Sequence, residues 1–165
     1  MKTTPRDKIL SRQKARELGE KLRKEGKVIV FTNGCFDILH RGHIEYLEYA
    51  KSQGDVLVVG INDDDSVRRL KGKNRPVNNL QDRMYVLAAL YMVDFIIPFS
   101  QDTPYELIKE VKPHILVKGG DYVPHDVVGK DIVESYGGKV IIAPYKEGYS
   151  TSHLLNKIKK EEKSL

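Results

Sequence analysis

Short unbroken apolar runs alternate along the chain with stretches of helical period. Runs at 27–32 (KVIVFT), 56–61 (VLVVGI), 95–99 (FIIPF), 115–118 (ILVK) and 140–143 (VIIA) show no apolar-polar alternation. They predict strands covered on both faces. Between them the period changes. Residues 42–53 put Ile44, Leu47 and Ala50 on one face, and Gly54 stops the pattern. Further helices are predicted over 11–25, with Ser11 as N-cap and Gly26 past the end, over 65–70, 80–91 and 126–136, and over 151–160. Thr103-Pro104-Tyr105-Glu106 predicts another helix start: a threonine cap, proline at the first position and glutamate closing a capping box, with the helix ending before Pro113. No internal repeat or low-complexity segment interrupts the order.

Strands alternating with helices predict an α/β fold, an open parallel sheet with helices on both faces. The polar and glycine-rich segments then fall in one kind of place. Asn33-Gly34-Cys35-Phe36-Asp37 follows the first strand and Asn62-Asp63-Asp64 the second. Gly119-Gly120-Asp121 follows the fourth strand and Gly148-Tyr149-Ser150-Thr151-Ser152 the fifth. All lie at carboxyl ends of strands, where open α/β sheets bind ligands.

Composition narrows the picture. A chain of 165 residues, 40% hydrophobic and 31% charged, fits one soluble domain with a real core. No run approaches the roughly 18 apolar residues of a membrane span. The opening MKTTPRDKIL lacks the apolar core of a signal peptide, and a single cysteine, Cys35, suits a reducing cytoplasm. The net charge of +5 is local: residues 1–27 hold ten basic and four acidic residues, the remainder 18 and 19. The expected organisation is a basic helical leader over 1–26 and one α/β domain over 27–165. Without interleaved aromatics the leader does not read as a nucleic-acid surface, nor is a membrane partner expected.

His40 and His43 stand one helical turn apart at a predicted helix start, where exposed N–H groups already attract anions. Two imidazole donors added there make a phosphate site. Three other readings compete. A zinc pair lacks a Cys pair, an HExxH or an obvious third ligand. A purely structural pair leaves the surrounding pattern without a purpose. A Cys35–His nucleophile would need a reactive thiol where the neighbours predict a small buried one.

Residues 34–43, GCFDILHRGH, resemble the GxFDxxHxGH signature of the HxGH-motif nucleotidyltransferase superfamily, and Ser150-Thr151-Ser152 after Gly148 resembles its second motif. The resemblance covers roughly residues 27–160. It implies a Rossmann-like five-stranded sheet of order 3-2-1-4-5 that binds a nucleoside triphosphate, with Mg²⁺ bridging the phosphates. A phosphate-bearing acceptor attacks the α-phosphorus in line and pyrophosphate leaves. Carried over by position, His40, His43 and Lys118 would be catalytic. Thr32, Asn33, Gly34, Cys35, Phe36 and Asp37, with Lys71, Arg83, Gly119, Asp121, Ser150, Thr151 and Ser152, would hold the nucleotide. Asn62, Asp63, Arg75, Lys118 and Tyr122 would hold a sugar phosphate. No protein-held metal is implied, and a homo-oligomer, a dimer first, is the default.

Within the superfamily the chain is most similar to the adenylyltransferases that make ADP-heptose from heptose 1-phosphate. FTNGCFDILHRGH, NDDDSVRRLKG, DRMYVLAAL, VKPHILVKGGDY and GYSTSHLL carry that likeness. That family's domain is often fused behind a sugar kinase, so a separate heptose kinase is the expected partner here. Glycerol-3-phosphate cytidylyltransferases are similar too, but Tyr145 stands for their arginine and Gly120 for their first aspartate. An FMN adenylyltransferase and a non-catalytic nucleotide-binding module are further alternatives. His114, where many members have aspartate, reads as structural.

Overall fold

The computed structural model describes residues 3–120, 122–144 and 148–164. Five parallel strands, β1 (Ile29–Gly34), β2 (Val56–Asn62), β3 (Phe95–Phe99), β4 (Ile115–Lys118) and β5 (Lys139–Ile142), form one sheet in the order β3-β2-β1-β4-β5. The expected α/β architecture and strand order are both met. Among the described residues, seven α-helices connect and flank the strands: α1 (Ala15–Lys24), α2 (Arg41–Ser52), α3 (Asp64–Lys71), α4 (Leu80–Ala88), α5 (Tyr105–Val111), α6 (Lys130–Ser135) and α7 (Thr151–Lys163).

Alternation along the strands divides the core. Val30, Leu57, Val59, Ile61 and Val117 pack with Leu47 and Ala50 of α2 and Met84 and Leu87 of α4. Ile29, Phe31, Val58, Ile97 and Leu116 pack on the other face with α1, α5 and α6. Every residue of β2 is buried, as a central parallel strand requires.

Four boundaries differ from expectation. The 126–136 segment splits into a 3₁₀ turn at Pro124–Asp126 and α6, because Gly129 takes a left-handed φ of +92° and lets the chain press on Ile108. Thr103 does not cap α5: Pro104 occupies the N-cap, and its carbonyl accepts from Ile108 N–H at 2.9 Å. The helix predicted over 80–91 ends at Ala88, where tighter turns, Leu90 N–H to Leu87 O and Val93 N–H to Leu90 O, lead into β3. Ser11 precedes a short 3₁₀ turn, Arg12–Lys14, without a side-chain cap bond, and that turn runs into α1.

The basic N-terminal segment is built into this fold. Ile9 forms a parallel bridge to Ile96 at the β3 edge, and Leu10 N–H donates to the Ile96 carbonyl at 2.9 Å. Arg12 pairs with Glu110, and Arg23 Nη1 donates to the Val111 carbonyl at 2.7 Å. Ala15, Leu18 and Leu22 are buried, while the lysines of α1 stay outside. Leu18→Ala is expected to cost about 2–5 kcal/mol of unfolding free energy, read from the urea midpoint. A loss under about 0.5 kcal/mol would mean that α1 contributes no core.

Candidate active site

The crossovers reverse between β1 and β4, and a cleft of about 900 Å³ opens at the carboxyl ends there. β1 pairs with β2 as far as Gly34–Ile61, but with β4 only at Val30–Ile115 and Phe31–Leu116. Tyr46 of α2 spans the opening. Its hydroxyl donates to the Val117 carbonyl at 3.0 Å and accepts from the Thr32 hydroxyl. Burial pushes the Tyr46 phenol up to about 12, so it stays protonated and keeps that bridge. Thr32, expected on the nucleotide, is fully buried in this bridge and off the cleft wall.

α2 starts at the cleft. His40 is its N-cap, and its backbone N–H donates to His43 Nδ1 at 3.3 Å. That bond assigns the tautomer: with Nδ1 accepting, a neutral His43 carries its proton on Nε2. Burial, helped by the neighbouring His40, pushes His43 down to about 4, and burial lowers His40 as well. The two rings stack with centroids 3.8 Å apart. Gly42 makes this possible, since a Cβ there would lie 2.7 Å from the Tyr149 Cβ and 3.0 Å from the His40 ring. Phe36 takes a left-handed φ of +47° and sets its ring 5.4 Å from that of His43.

These histidines also set acid stability. Their folded pKa values, like that of His114, lie below the ordinary value of about 6.5. The unfolded chain therefore binds protons first as pH falls. Their contribution is complete above about pH 6.5 and is lost as pH falls toward about 4. The urea midpoint should drop between pH 7 and pH 5. A flat midpoint across that range would contradict the burial of these rings.

Asp37 lies 4% exposed beneath the cleft. Burial alone would raise its pKa, but the N–H groups of Asn78 and Val77 and the guanidinium of Arg75 outweigh it and hold the carboxyl below its usual range. Arg75 reaches the cleft from this pair, 2.8 Å from Asp37. Lys118 closes the opposite wall, with Nζ 4.8 Å from the centre of the Tyr122 ring, and burial lowers its pKa. Asn33, Gly34 and Cys35 form the floor with Asn62; Lys71, Gly119, Ser150 and Ser152 also line the cleft. Burial raises the Cys35 thiol, which weighs against a thiolate nucleophile.

The second motif joins the first directly. Thr151 Oγ1 donates to the Ile38 carbonyl at 3.0 Å, and Ser150 caps α7 by accepting from His153 N–H at 3.0 Å. The start of α7 thus faces the same cleft as the start of α2.

Besides Thr32, two expected site residues stand elsewhere. Asp63 caps α3, accepting from Ser66 N–H at 2.9 Å, off the cleft wall. Arg83 does not line the cleft at all: its guanidinium is buried against backbone carbonyls and Asp64. Asp121 and Tyr145 lie outside the described residues. Sequence reasoning missed Tyr46 and Tyr149, both on the wall. Tyr46 follows His43 by three residues and so shares its face of α2, and that spacing was the available signal.

Paired histidines at one helix start and a Ser-Thr-Ser at another, both at the switch point of a five-stranded parallel sheet, are the marks of a nucleotide-handling α/β class. A family model described as cytidylyltransferase-like matches residues 31–161. The chain belongs to that family. It is 60% identical over 136 residues to the bifunctional protein HldE of Coxiella burnetii (strain RSA 493 / Nine Mile phase I), covering 82% of this chain and 29% of that protein. Against HldE of Aliarcobacter butzleri the identity is 49% over 162 residues, 98% of this chain and 33% of the relative. The chain therefore spans about a third of the length of these curated relatives. Among solved structures, the lipopolysaccharide core biosynthesis protein of Thermoplasma volcanium superposes with a TM-score of 0.61 at 31% identity, covering 76% of this chain and 100% of that one. Pantoate-beta-alanine ligase from Francisella tularensis, at 21% identity and a TM-score of 0.62, with 87% and 68% covered, shares the fold. No helix among the described residues is long and apolar enough to cross a membrane.

Proposed function

We propose that this chain transfers AMP from ATP to D-glycero-D-manno-heptose 1-phosphate, giving ADP-heptose and pyrophosphate for lipopolysaccharide core synthesis in the cytoplasm. The Thr151–Ile38 bond carries the reading, because it brings both helix starts to one cleft. The identity to HldE proteins supports heptose as the acceptor. A kinase acting on the heptose would supply that phosphorylated acceptor.

A phosphate oxygen of the acceptor attacks the α-phosphorus, the α–β phosphoanhydride bond breaks, and its electron pair leaves with pyrophosphate. No bond to the protein forms. The chain's share is to align two anions and neutralise the charge that builds between them. His43 Nε2–H and His40 hold the phosphates at the α2 start, and the α7 start receives the β- and γ-phosphates. Lys118 offsets the acceptor's charge. No trio of His, Cys, Asp or Glu among the described residues is placed to hold a metal. Mg²⁺ needs no such trio, only one or two carboxylates beside substrate phosphates, and when bound with the triphosphate it would offset charge on the leaving pyrophosphate.

Pyrophosphate release tests the reading. ATP with either anomer of the heptose phosphate is set against CTP with glycerol 3-phosphate. Release in the first pairing alone is expected. Release in the second alone would reassign the base and the acceptor.

A further inference from the structure

The first turn of α4 carries a cation, Arg83, where the helix dipole disfavours one. Arg83 is 2% exposed. Its Nη1 donates to the Cys35 carbonyl at 2.7 Å and to the Asn62 carbonyl at 2.8 Å. These are the first carbonyls past the end of the β1–β2 ladder, which closes at Gly34 and Ile61. One nitrogen thus spends both hydrogens to add a rung that the backbone cannot form by itself. Nε donates to the Asn78 carbonyl at 3.0 Å, and Nη2 pairs with Asp64 at 2.7 Å.

Asn78 carries the connection onward. Its N–H and its side-chain amide each lie 2.9 Å from Asp37, on the carboxylate and the carbonyl respectively. Asp37 also holds Arg75 Nε at 2.8 Å. Strand ends, the 75–78 segment and the cleft floor are therefore one bonded unit with Arg83 at its centre.

We infer that Arg83 is a positioning residue: it sets the ends of β1 and β2 that place Cys35 and Asn62 on the cleft floor, and it does not touch the nucleotide. Only a planar fork can reach three carbonyls and a carboxylate at once. A lysine would keep the charge and lose the geometry. The effect on catalysis rests on the adenylyltransferase reading, but the effect on the strand end does not.

The test uses Arg83→Lys and Asp64→Asn, the latter altering an Arg83 partner that is off the cleft wall. Two readouts are taken well below each variant's melting temperature: kcat and KM for ATP by pyrophosphate release, and the labelling rate of Cys35, the single cysteine, by a thiol reagent. Arg83→Lys is expected to lower kcat by roughly 10²-fold, the scale of a small misplacement, with KM for ATP within about threefold. Cys35 labelling should speed up by about tenfold as the strand end loosens. Asp64→Asn should show the same pattern more weakly, and it carries the test if Arg83→Lys does not fold. A tenfold rise in KM for ATP with kcat kept would make Arg83 a nucleotide ligand and overturn the inference. Unchanged kcat and KM with only a lower melting temperature would overturn it too. If the unaltered protein releases no pyrophosphate in any pairing, the adenylyltransferase reading falls, and Cys35 labelling still decides on Arg83: a faster rate upholds its positioning role, an unchanged rate ends it.

Discussion

Replacing His43 with alanine lowers kcat by on the order of 10²–10³, the usual scale for one transition-state hydrogen-bond donor. His43 is neutral near pH 7 because burial and His40 hold its pKa near 4. Its Nδ1 is committed to the His40 N–H, so Nε2–H is the remaining polar group of the ring. A donor fixed this way needs no reorganisation as charge builds on the α-phosphate. The stacked His40 ring and Phe36 hold the orientation, so His43→Gln, which returns an N–H, should recover part of the loss. Steady-state kinetics with a thermal melt on each variant check this. Normal turnover in His43→Ala would remove the histidine from the mechanism.

The second large effect is expected at Lys118. Its ammonium stands over the Tyr122 ring at the end of a buried strand, on the cleft wall. A charged hydrogen bond from this ammonium to the acceptor's phosphate would contribute about 1.5–3 kcal/mol, or roughly 10- to 150-fold in binding. Lys118→Met should raise KM for the sugar phosphate by that factor, with a smaller change for ATP. Because burial lowers its pKa, the acceptor's KM should begin to rise at a pH below that at which an exposed lysine loses its proton. If Lys118→Met lowers only the melting temperature, the residue is part of the scaffold.

The strands were legible because a parallel sheet buried on both faces leaves short apolar runs, and turn residues bound them here. The site's place was legible for a related reason: polar residues such as Asn33, Asn62 and Ser150 recur after those runs. Local chemistry was less transparent. Gly129 was invisible as a break inside 126–136, since its left-handed turn answers to Ile108, far away in sequence. Thr103 had the right residue type for a cap, but the chain enters α5 one residue later. Arg83 looked like a phosphate ligand because a cation early in a helix has no local reason. Its reason is tertiary, the open carbonyls beyond the β1–β2 ladder. The apolar face of α1 had a helical pattern, but only the fold shows that it packs beside α5.

The most direct measurement follows label from ATP, carried at either the α- or the γ-phosphate, into products formed with the heptose phosphate. Nucleotidyl transfer predicts the α-label in the sugar nucleotide and the γ-label in pyrophosphate. The γ-label on the sugar, with the α-label left in ADP, would mean phosphoryl transfer and would contradict the account.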